Sequence, residues 1–243
     1  MRGPKRFLQR LLVSLLLGLG CTPPRPVEGV WRPGPGEDRD HIPGPLKDFG
    51  PFDSYPEALK AACPLILSKP NATVGHLQNS NPELAARTAT EYCAWLYYTP
   101  EHKYEMSMLS DLSQPDDLVT GKKSCVLPAF VSDPRYALGD LKYIFALHNH
   151  PFGSDISERD IHFIEEMASV HEWVIKTKNN GEILLSIIAF FSKSKDPGAP
   201  TCDGFYQYIP ATQSMMMWTQ ARGEWKQTVL APAAWKNRKK PRL

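Results

Sequence analysis

Residues 141–160 read LKYIFALHNHPFGSDISERD. The first part is an apolar, aromatic-rich run of strand length that ends in His148 and His150. Residues two apart in a strand project from the same face, so we expect both imidazoles to point at one spot. A proline–glycine turn ends the strand, and Ser157 is a favourable N-cap for a following helix, which places Asp160 in its first turn. Two neutral imidazoles and one carboxylate suit tetrahedral zinc and leave a fourth position for water, the ligand count of a catalytic site.

This segment resembles the JAMM metalloproteases, also called MPN+ or JAB-domain proteins. Their motif is a distant glutamate, then His-x-His-Pro, then Ser-x-x-Asp. The segment from His148 to Gly153 is most similar to the RadC-like branch and to a JAB-like domain of bacterial polymorphic toxins. The resemblance implies a JAB/MPN-like domain in which His148, His150 and Asp160 bind zinc and Ser157 helps to bind the oxyanion of the tetrahedral intermediate. It extends over roughly residues 83–192, and only the motif within that region is specific.

The chain departs from the family pattern in one place. The family usually has one residue more between the second histidine and the serine than the segment 151–156 provides. A deletion in a loop is tolerable if the helix starts correspondingly earlier. We therefore expect Asp160, rather than Asp155, to be the third ligand.

A hydrolase of this type also needs a general base, which is a glutamate on an earlier strand in the family. Glu91 is the best-placed candidate because it opens the β-prone run 91–98, which Thr99-Pro100 ends. Glu105, inside the alternating run 104–108, is the second candidate. The alternative interpretation of either residue is a strand residue that faces solvent. If neither lies close to the metal, the domain is expected to be a binding module.

The N-terminus has the pattern of a targeting segment. Basic residues precede an apolar stretch, residues 11–20, that is too short to span a membrane as a mature helix. The ending Gly18-Leu19-Gly20-Cys21 resembles a bacterial lipobox, in which Cys21 is lipidated and becomes the new N-terminus. It departs from the usual lipobox at Gly18, where leucine is common, and a plain secretory signal is the alternative.

Composition divides the chain into four parts. The expected parts are a signal peptide (1–20), a Pro/Gly-rich tether (21–52), a JAMM-like catalytic domain (53–235) and a basic tail (236–243). The tether has a composition that cannot pack a core and prefers polyproline-like conformations. Thr22 after the cysteine resembles lipoproteins sorted to an outer membrane. We therefore expect a lipid-anchored protein of the bacterial cell envelope.

Charge argues against a general nucleic-acid binder. Residues 1–20 carry four basic and no acidic side chains, so the formal charge of +2 falls to −2 without them. Attraction to phosphates depends on a net basic surface. The basic run 236–242 is the exception, and a frayed, solvated tail is preferred to a binding arm as its interpretation.

Export also affects the cysteines. With Cys21 lipidated, an even number remains in an oxidising compartment, namely Cys63, Cys93, Cys125 and Cys202. They permit two disulfides in three pairings, which the sequence does not choose among. Cys93 and Cys125 lie on neighbouring predicted strands and form the first pair to test, which leaves Cys63 with Cys202. Zinc binding by cysteine is disfavoured because no Cys-x-x-Cys is present.

The remaining patterns predict an α/β domain with a mixed, largely antiparallel sheet flanked by helices. The content of 42% hydrophobic residues suffices for one substantial core. Asn179-Asn180-Gly181 predicts a hairpin, and Met215–Met217 with Trp218 are expected in the core or along a substrate groove. The predicted helices cover 56–63, stopped by Pro64, and 82–90, and the predicted strands cover 91–98, 104–110, 124–130, 141–149, 173–176, 182–191, 205–209 and 228–230.

These expectations combine into a membrane-tethered, zinc-dependent peptidase or isopeptidase of JAMM type. Zn²⁺ is the expected cofactor and a protein or peptide the expected substrate. One alternative is a lipoprotein-borne toxin or effector that uses the same fold on another target bond, with a cognate immunity protein as its partner. The other is a metal-free binding module.

Overall fold

The computed structural model describes residues 25–113, 117, 123–178, 180–221 and 224–230. The expected signal peptide, the lipidation site Cys21 and the basic tail lie outside these residues. Within the described part of the chain, no helix is both long and apolar enough to cross a bilayer.

Four helices and thirteen strands are described. The helices are α1 (Tyr55–Leu67), α2 (Leu77–Ser80), α3 (Pro82–Thr88) and α4 (Glu158–Val170). The strands are β1 (Val30–Trp31), β2 (His41–Pro43), β3 (Cys93–Tyr98), β4 (Tyr104–Met106), β5 (Leu109–Ser110), β6 (Phe130–Ser132), β7 (Lys142–Asn149), β8 (Val174–Lys176), β9 (Glu182–Leu184), β10 (Ser186–Phe191), β11 (Gly204–Ile209), β12 (Ser214–Ala221) and β13 (Glu224–Leu230).

Nine of these strands form one mixed sheet in the order β1-β5-β3-β7-β10-β11-β12-β13, with β4 also paired to β3. The pairs β1/β5 and β7/β10 are parallel, and the other pairs of this sheet are antiparallel. Two small sheets, β2/β6 and β8/β9, lie apart from it. The predicted fold class, an α/β domain with a mixed and largely antiparallel sheet, is confirmed at this level.

Side chains alternate across the sheet and build a core on each face. Ala94 and Leu96 of β3 pack with Ile66 of α1 on one face. Cys93 and Trp95 pack with residues of α4 on the opposite face. This alternation follows from the two-residue period of a strand, and it buries both faces of β3, β7 and β10. The helices α1 and α4 therefore flank the sheet.

The central motif folds as the sequence predicts. β7 covers nearly all of the predicted strand 141–149, and it lies between β3 and β10. The turn that follows uses Gly153 at φ +69°, a left-handed conformation that glycine adopts without steric cost. The helix α4 then begins at Glu158, with Ser157 as its N-cap. The end of β7 and the start of α4 thus meet on one face of the sheet.

The proline-rich segment is not a free tether over its described part. Ile42, Leu46 and Phe49 are buried in the two cores. The backbone nitrogen of Leu46 donates to the carbonyl of Met106 at 2.6 Å, and β2 pairs with β6. The expectation that residues 21–52 cannot pack is therefore wrong from about residue 29 onward, because apolar residues spaced between the prolines supply buried surface. The packed domain begins before residue 53.

Several boundary predictions are also wrong. The predicted strand 104–110 is divided into β4 and β5, and the predicted strand 182–191 is divided into β9 and β10, which belong to different sheets. Helix α1 does not stop at Pro64 but continues to Leu67, because Ile66 and Leu67 are buried in the core. The backbone nitrogen of Ser68 donates to the carbonyl of Pro64 and completes the last turn. The predicted strand 124–130 is irregular up to residue 129, and only Phe130 belongs to a strand. Pro128 lies in this stretch, and proline has no N–H to donate to a ladder.

The C-terminal half follows the prediction in part, because β12 was not predicted as a strand and β11 is an internal strand of the sheet. β8 and β9 pair as a hairpin around Asn180, which has φ +56°. β11, β12 and β13 extend the main sheet in an antiparallel meander. Met215 and Met216 are buried, in agreement with the core interpretation.

The structure contains both disulfides of the pairing that the sequence placed first. Cys63 of α1 joins Cys202 with Cα atoms 5.9 Å apart, and Cys93 of β3 joins Cys125 with Cα atoms 5.8 Å apart. The first bond ties a helix to the start of β11. The second bond fixes the irregular stretch 123–129 against the face of the sheet that carries α4.

Candidate metal centre

Three expected ligands converge at the junction of β7 and α4. His148 and His150 project from the same side of the β7 end, as their spacing predicts, and both are buried. Asp160 approaches them from the first turn of α4. Among the described residues, these three form the one group of His, Cys, Asp or Glu side chains whose ligand atoms all lie within 4.8 Å of one another.

The capping box of α4 sets the position of Asp160. The Ser157 hydroxyl oxygen accepts from the Asp160 backbone nitrogen at 3.2 Å, and Asp160 Oδ2 accepts from the Ser157 backbone nitrogen at 2.8 Å. These reciprocal bonds hold the carboxylate in one orientation. The same Oδ2 atom faces the two imidazoles, so the cap and the candidate metal centre share an atom.

The spacing of the three ligand atoms fits one small cation. The Nε2 atoms of His148 and His150 are 2.8 Å apart, and they lie 3.7 Å and 3.4 Å from Asp160 Oδ2. In a tetrahedral zinc site with bonds of about 2.0–2.1 Å, adjacent ligands are about 3.3 Å apart. The observed separations bracket this value. The donor set also suits non-haem Fe(II), so it indicates a transition metal without naming it.

The hydrogen bonds of His150 select the tautomer that a metal needs. Its Nδ1 donates to the carbonyl oxygen of Ser154 at 2.7 Å, so the neutral ring carries its lone pair on Nε2, the atom nearest to His148 and Asp160. A hydrogen bond from the nitrogen that does not bind the metal orients the ring of a metal-binding histidine and determines which nitrogen carries the proton. Nδ1 of His148 is buried beside the backbone of Ile188 and makes no hydrogen bond within the described residues.

Electrostatics favour a positive charge between these side chains. Burial lowers the pKa of His148. Burial also opposes the charged form of His150, but Asp160 and Glu91 outweigh it and raise the pKa of His150 to about 9. Burial opposes ionisation of Asp160 as well, yet the two histidines hold its pKa well below the usual range. A bound cation would take the place of the proton on His150, so binding would release a proton.

The expected base, Glu91, lies just before β3, close enough to the candidate ligands for electrostatic interaction. Its carboxylate interacts electrostatically with His150, Asp160 and Arg159. Burial raises the pKa of Glu91 to about 7, and Asp160 adds to this effect while His150 opposes it. A carboxylate held near neutral pKa is suited to accepting and returning a proton.

Asn149 holds the segment that carries Glu91. Its side chain points to the opposite side of β7 from the two histidines and is fully buried. Its oxygen accepts from the backbone nitrogen of Tyr92 at 2.7 Å, and its amide donates to the carbonyls of Thr90 at 3.0 Å and Ala72 at 2.7 Å. Glu91 is thus fixed through both of its chain neighbours. Sequence reasoning missed this role because an Asn between two histidines carries no signal of its partners.

The second candidate base, Glu105, is bound elsewhere. Its carboxylate pairs with Arg135, whose Nη1 donates to Oε1 at 3.1 Å, and Arg135 also binds Asp133. Glu105 lies opposite Tyr97, at the far end of β3 from Cys93, and Cys93 is the residue that pairs with His148. Of the two candidates, the structure brings Glu91 to the candidate ligands.

A second ion pair borders the site and was not predicted. Nη1 of Arg159 donates to Oδ1 of Asp117 at 2.7 Å, and Ser124 donates to the other carboxylate oxygen of Asp117. Arg159 lies between the cap Ser157 and Asp160 in sequence, and the Ser-x-x-Asp motif leaves its identity open. Its charge lowers the pKa of Glu91 and opposes the effect of burial.

Comparisons with protein-family models, with curated proteins and with solved structures return no significant match to this chain. The interpretation of the site therefore rests on the motif and on the geometry described above.

Proposed function

We propose that the protein is a zinc-dependent peptidase or isopeptidase of JAMM type. One observation carries the proposal: His148, His150 and Asp160 bring three ligand atoms within reach of one cation, and the carboxylate of Glu91 interacts electrostatically with two of them, His150 and Asp160. Three protein ligands with a fourth position open is the composition of catalytic rather than structural zinc sites.

The residues around the ligands have distinct roles in this proposal. When bound, Zn²⁺ supplies a Lewis acid that polarises a carbonyl and acidifies a water molecule. Glu91 accepts the proton of the attacking water and delivers it to the leaving amine. The Ser157 oxygen accepts the capping bond through a lone pair, so its hydroxyl hydrogen is available to donate to the developing oxyanion.

A glutamine substitution at Glu91 tests this function. Glu91→Gln keeps the shape of the side chain but cannot accept the proton, so activity should fall by about 10²–10⁴-fold while bound zinc is retained. Activity is measured on a quenched fluorescent peptide library and on lysine-linked isopeptide analogues, with zinc content measured on the same samples.

Glu105→Gln is the matched comparison, because it makes the same change in a buried carboxylate that pairs with Arg135. If only Glu105→Gln loses cleavage, Glu105 rather than Glu91 is the base. Cleavage that survives both substitutions would contradict the mechanism. Glu91→Gln also tests the toxin alternative. If the site causes growth inhibition of a susceptible cell, this inhibition should disappear in the variant.

We also propose that the chain is anchored in the bacterial cell envelope, at the outer membrane, by a lipid on Cys21. The lipobox-like ending and the following Thr22 support this location. Cys21→Ala should move the protein from the detergent-soluble membrane fraction to the soluble fraction. An unchanged distribution between these fractions would reject the lipid anchor.

A further inference from the structure

An apolar pocket opens directly beside the candidate metal centre, on the face of the sheet that carries α4. Its volume is about 90 Å³, and both His148 and Asp160 line it. The pocket and the metal centre therefore share two walls. A group that enters the pocket lies next to any substrate carbonyl held at the centre.

The lining of the pocket comes from five parts of the fold, one of which is β3 through Cys93. It includes Ala146 of β7, Ile187 of β10 and Phe163 of α4, and Val126 and Leu127 close it from the irregular stretch 123–129. All of these side chains are apolar. The pocket is thus suited to a hydrocarbon group, because burying apolar surface is favourable whereas an unpaired polar group there would lose its hydration.

The outer wall is fixed in place by the contacts of its backbone. The disulfide between Cys93 and Cys125 forms part of the lining. The Val126 nitrogen donates to the carbonyl of Leu112 at 2.6 Å, and the indole of Trp95 donates to the carbonyl of Pro128 at 2.7 Å. The wall is held at three points, two of them on β3, so the pocket is formed before a ligand arrives.

Two polar side chains of the lining share one hydrogen-bond partner. Ser124 and Arg159 both line the pocket, and both donate to Asp117. Their hydrogen bonds to one buried carboxylate keep this charge cluster together at the pocket wall. A polar substrate side chain would have to compete with Asp117 for them.

The volume sets the size of the occupant. A cavity of roughly 150 Å³ lined by aliphatic and aromatic side chains binds benzene. The present pocket, at about 90 Å³, is clearly smaller. It is close in size to one branched aliphatic side chain and offers less room to an aromatic ring than the benzene-binding cavity.

We propose that this pocket is a specificity subsite that holds an aliphatic side chain, of valine to leucine size, on a residue flanking the scissile amide. The proposal rests on the proposed function, since it assigns the substrate class of the same site. A charged or an aromatic side chain at that position of the substrate is expected to gain no affinity from the pocket.

Amino-acid hydroxamates test the subsite. The hydroxamate group chelates zinc, and the side chain of the amino acid can then enter the neighbouring pocket. The zinc-loaded full chain in detergent is titrated with glycine, leucine, phenylalanine and aspartate hydroxamates. Leucine hydroxamate should bind about 10-fold or more tightly than the glycine compound. The phenylalanine and aspartate compounds should gain nothing over glycine. Equal affinities across the series would overturn the subsite.

Two variants give opposite changes and serve as mutual controls. Phe163→Ala enlarges the pocket and should improve phenylalanine hydroxamate relative to leucine hydroxamate. Val126→Phe, at a partly exposed position, fills the pocket and should remove the advantage of leucine over glycine while glycine affinity and zinc content stay unchanged. Unaltered ratios in a folded variant would overturn the proposal.

Failure of the subsite is distinguishable from failure of the proposed function. If the wild-type chain holds zinc and binds glycine hydroxamate but does not discriminate among side chains, only the subsite is wrong. If it holds no zinc and binds none of the hydroxamates, the metal centre is wrong and the subsite falls with it.

Discussion

The side-chain oxygen of Asn149 accepts a hydrogen bond from the backbone nitrogen of Tyr92 at 2.7 Å. Asn149 stands between the candidate ligands His148 and His150, and Tyr92 follows the candidate base Glu91. One buried amide therefore links the strand that carries two ligands to the segment that carries the base. The position of Glu91 relative to the candidate ligands depends on this link.

Asn149→Ala should reduce both stability and activity. The substitution leaves the Tyr92 N–H and the carbonyls of Ala72 and Thr90 without their buried partner, which should lower the free energy of unfolding by about 2–4 kcal/mol. Displacement of Glu91 should lower the turnover rate by about 10-fold or more. Urea denaturation and peptide cleavage measure the two effects.

Gln207→Ala is the control for this substitution. Gln207 is also a buried amide, with hydrogen bonds to Ser186 and Trp218 at 2.9 Å each. Its removal should lower stability without a specific loss of turnover in the folded fraction. Turnover in folded Asn149→Ala equal to that of Gln207→Ala would contradict the positioning role.

The motif region could be predicted from the sequence because its signals are local. The two-residue spacing of His148 and His150 fixes their common face, and the Ser157 cap fixes the start of the helix. The partners of Asn149 could not be predicted, because Tyr92 lies 57 residues away and no local rule selects it. The same limit applies to the pairing of Arg159 with Asp117, which are 42 residues apart.

The proline-rich segment shows a different limit. Composition averaged over residues 21–52 describes a tether, whereas packing depends on where single apolar residues stand. The segment has few apolar residues, but the side chains of Ile42, Leu46 and Phe49 are each buried in one of the two cores. Glu105 shows that a residue of the right type on a neighbouring strand can belong to a separate ion-pair cluster.

Ile42→Ala tests whether the proline-rich segment belongs to the folded domain. Ile42 is fully buried in the core on the α4 face, so the truncation should lower the free energy of unfolding by about 2–5 kcal/mol. Arg39→Ala, at an exposed position of the same segment, should change it by less than about 0.5 kcal/mol. Equal stabilities of the two variants in urea would show that the segment does not contribute to the core.

His171 should make the domain less stable in mild acid. Its ring stacks on Tyr143 with centroids 3.8 Å apart, and Nε2 donates to the carbonyl of Ala129 at 2.8 Å. Burial lowers the pKa of His171, while the Ala129 carbonyl partly opposes the shift. The unfolded chain therefore binds a proton first as the pH falls below about 6.5. The stability present above that pH is lost progressively until the folded-state pKa is reached.

The pH dependence is measured by urea unfolding between pH 5 and 8, a range spanning the roughly 6.5 pKa of an unfolded histidine. His171→Gln keeps a donor for the Ala129 carbonyl but does not titrate. Its unfolding free energy should depend less steeply on pH than that of the wild type in this range, with the difference largest just below about pH 6.5. Parallel curves for the two proteins would exclude His171 as a source of acid sensitivity.

Metal analysis of the full chain purified without chelator shows whether His148, His150 and Asp160 bind one zinc ion. We predict about one zinc per chain in the wild type, and a loss of most of this zinc in His148→Ala. Asp155→Ala, which removes the carboxylate that was rejected as a ligand, should retain it. Wild-type protein that lacks stoichiometric zinc, or that holds iron in its place, would rule out a zinc centre at these residues.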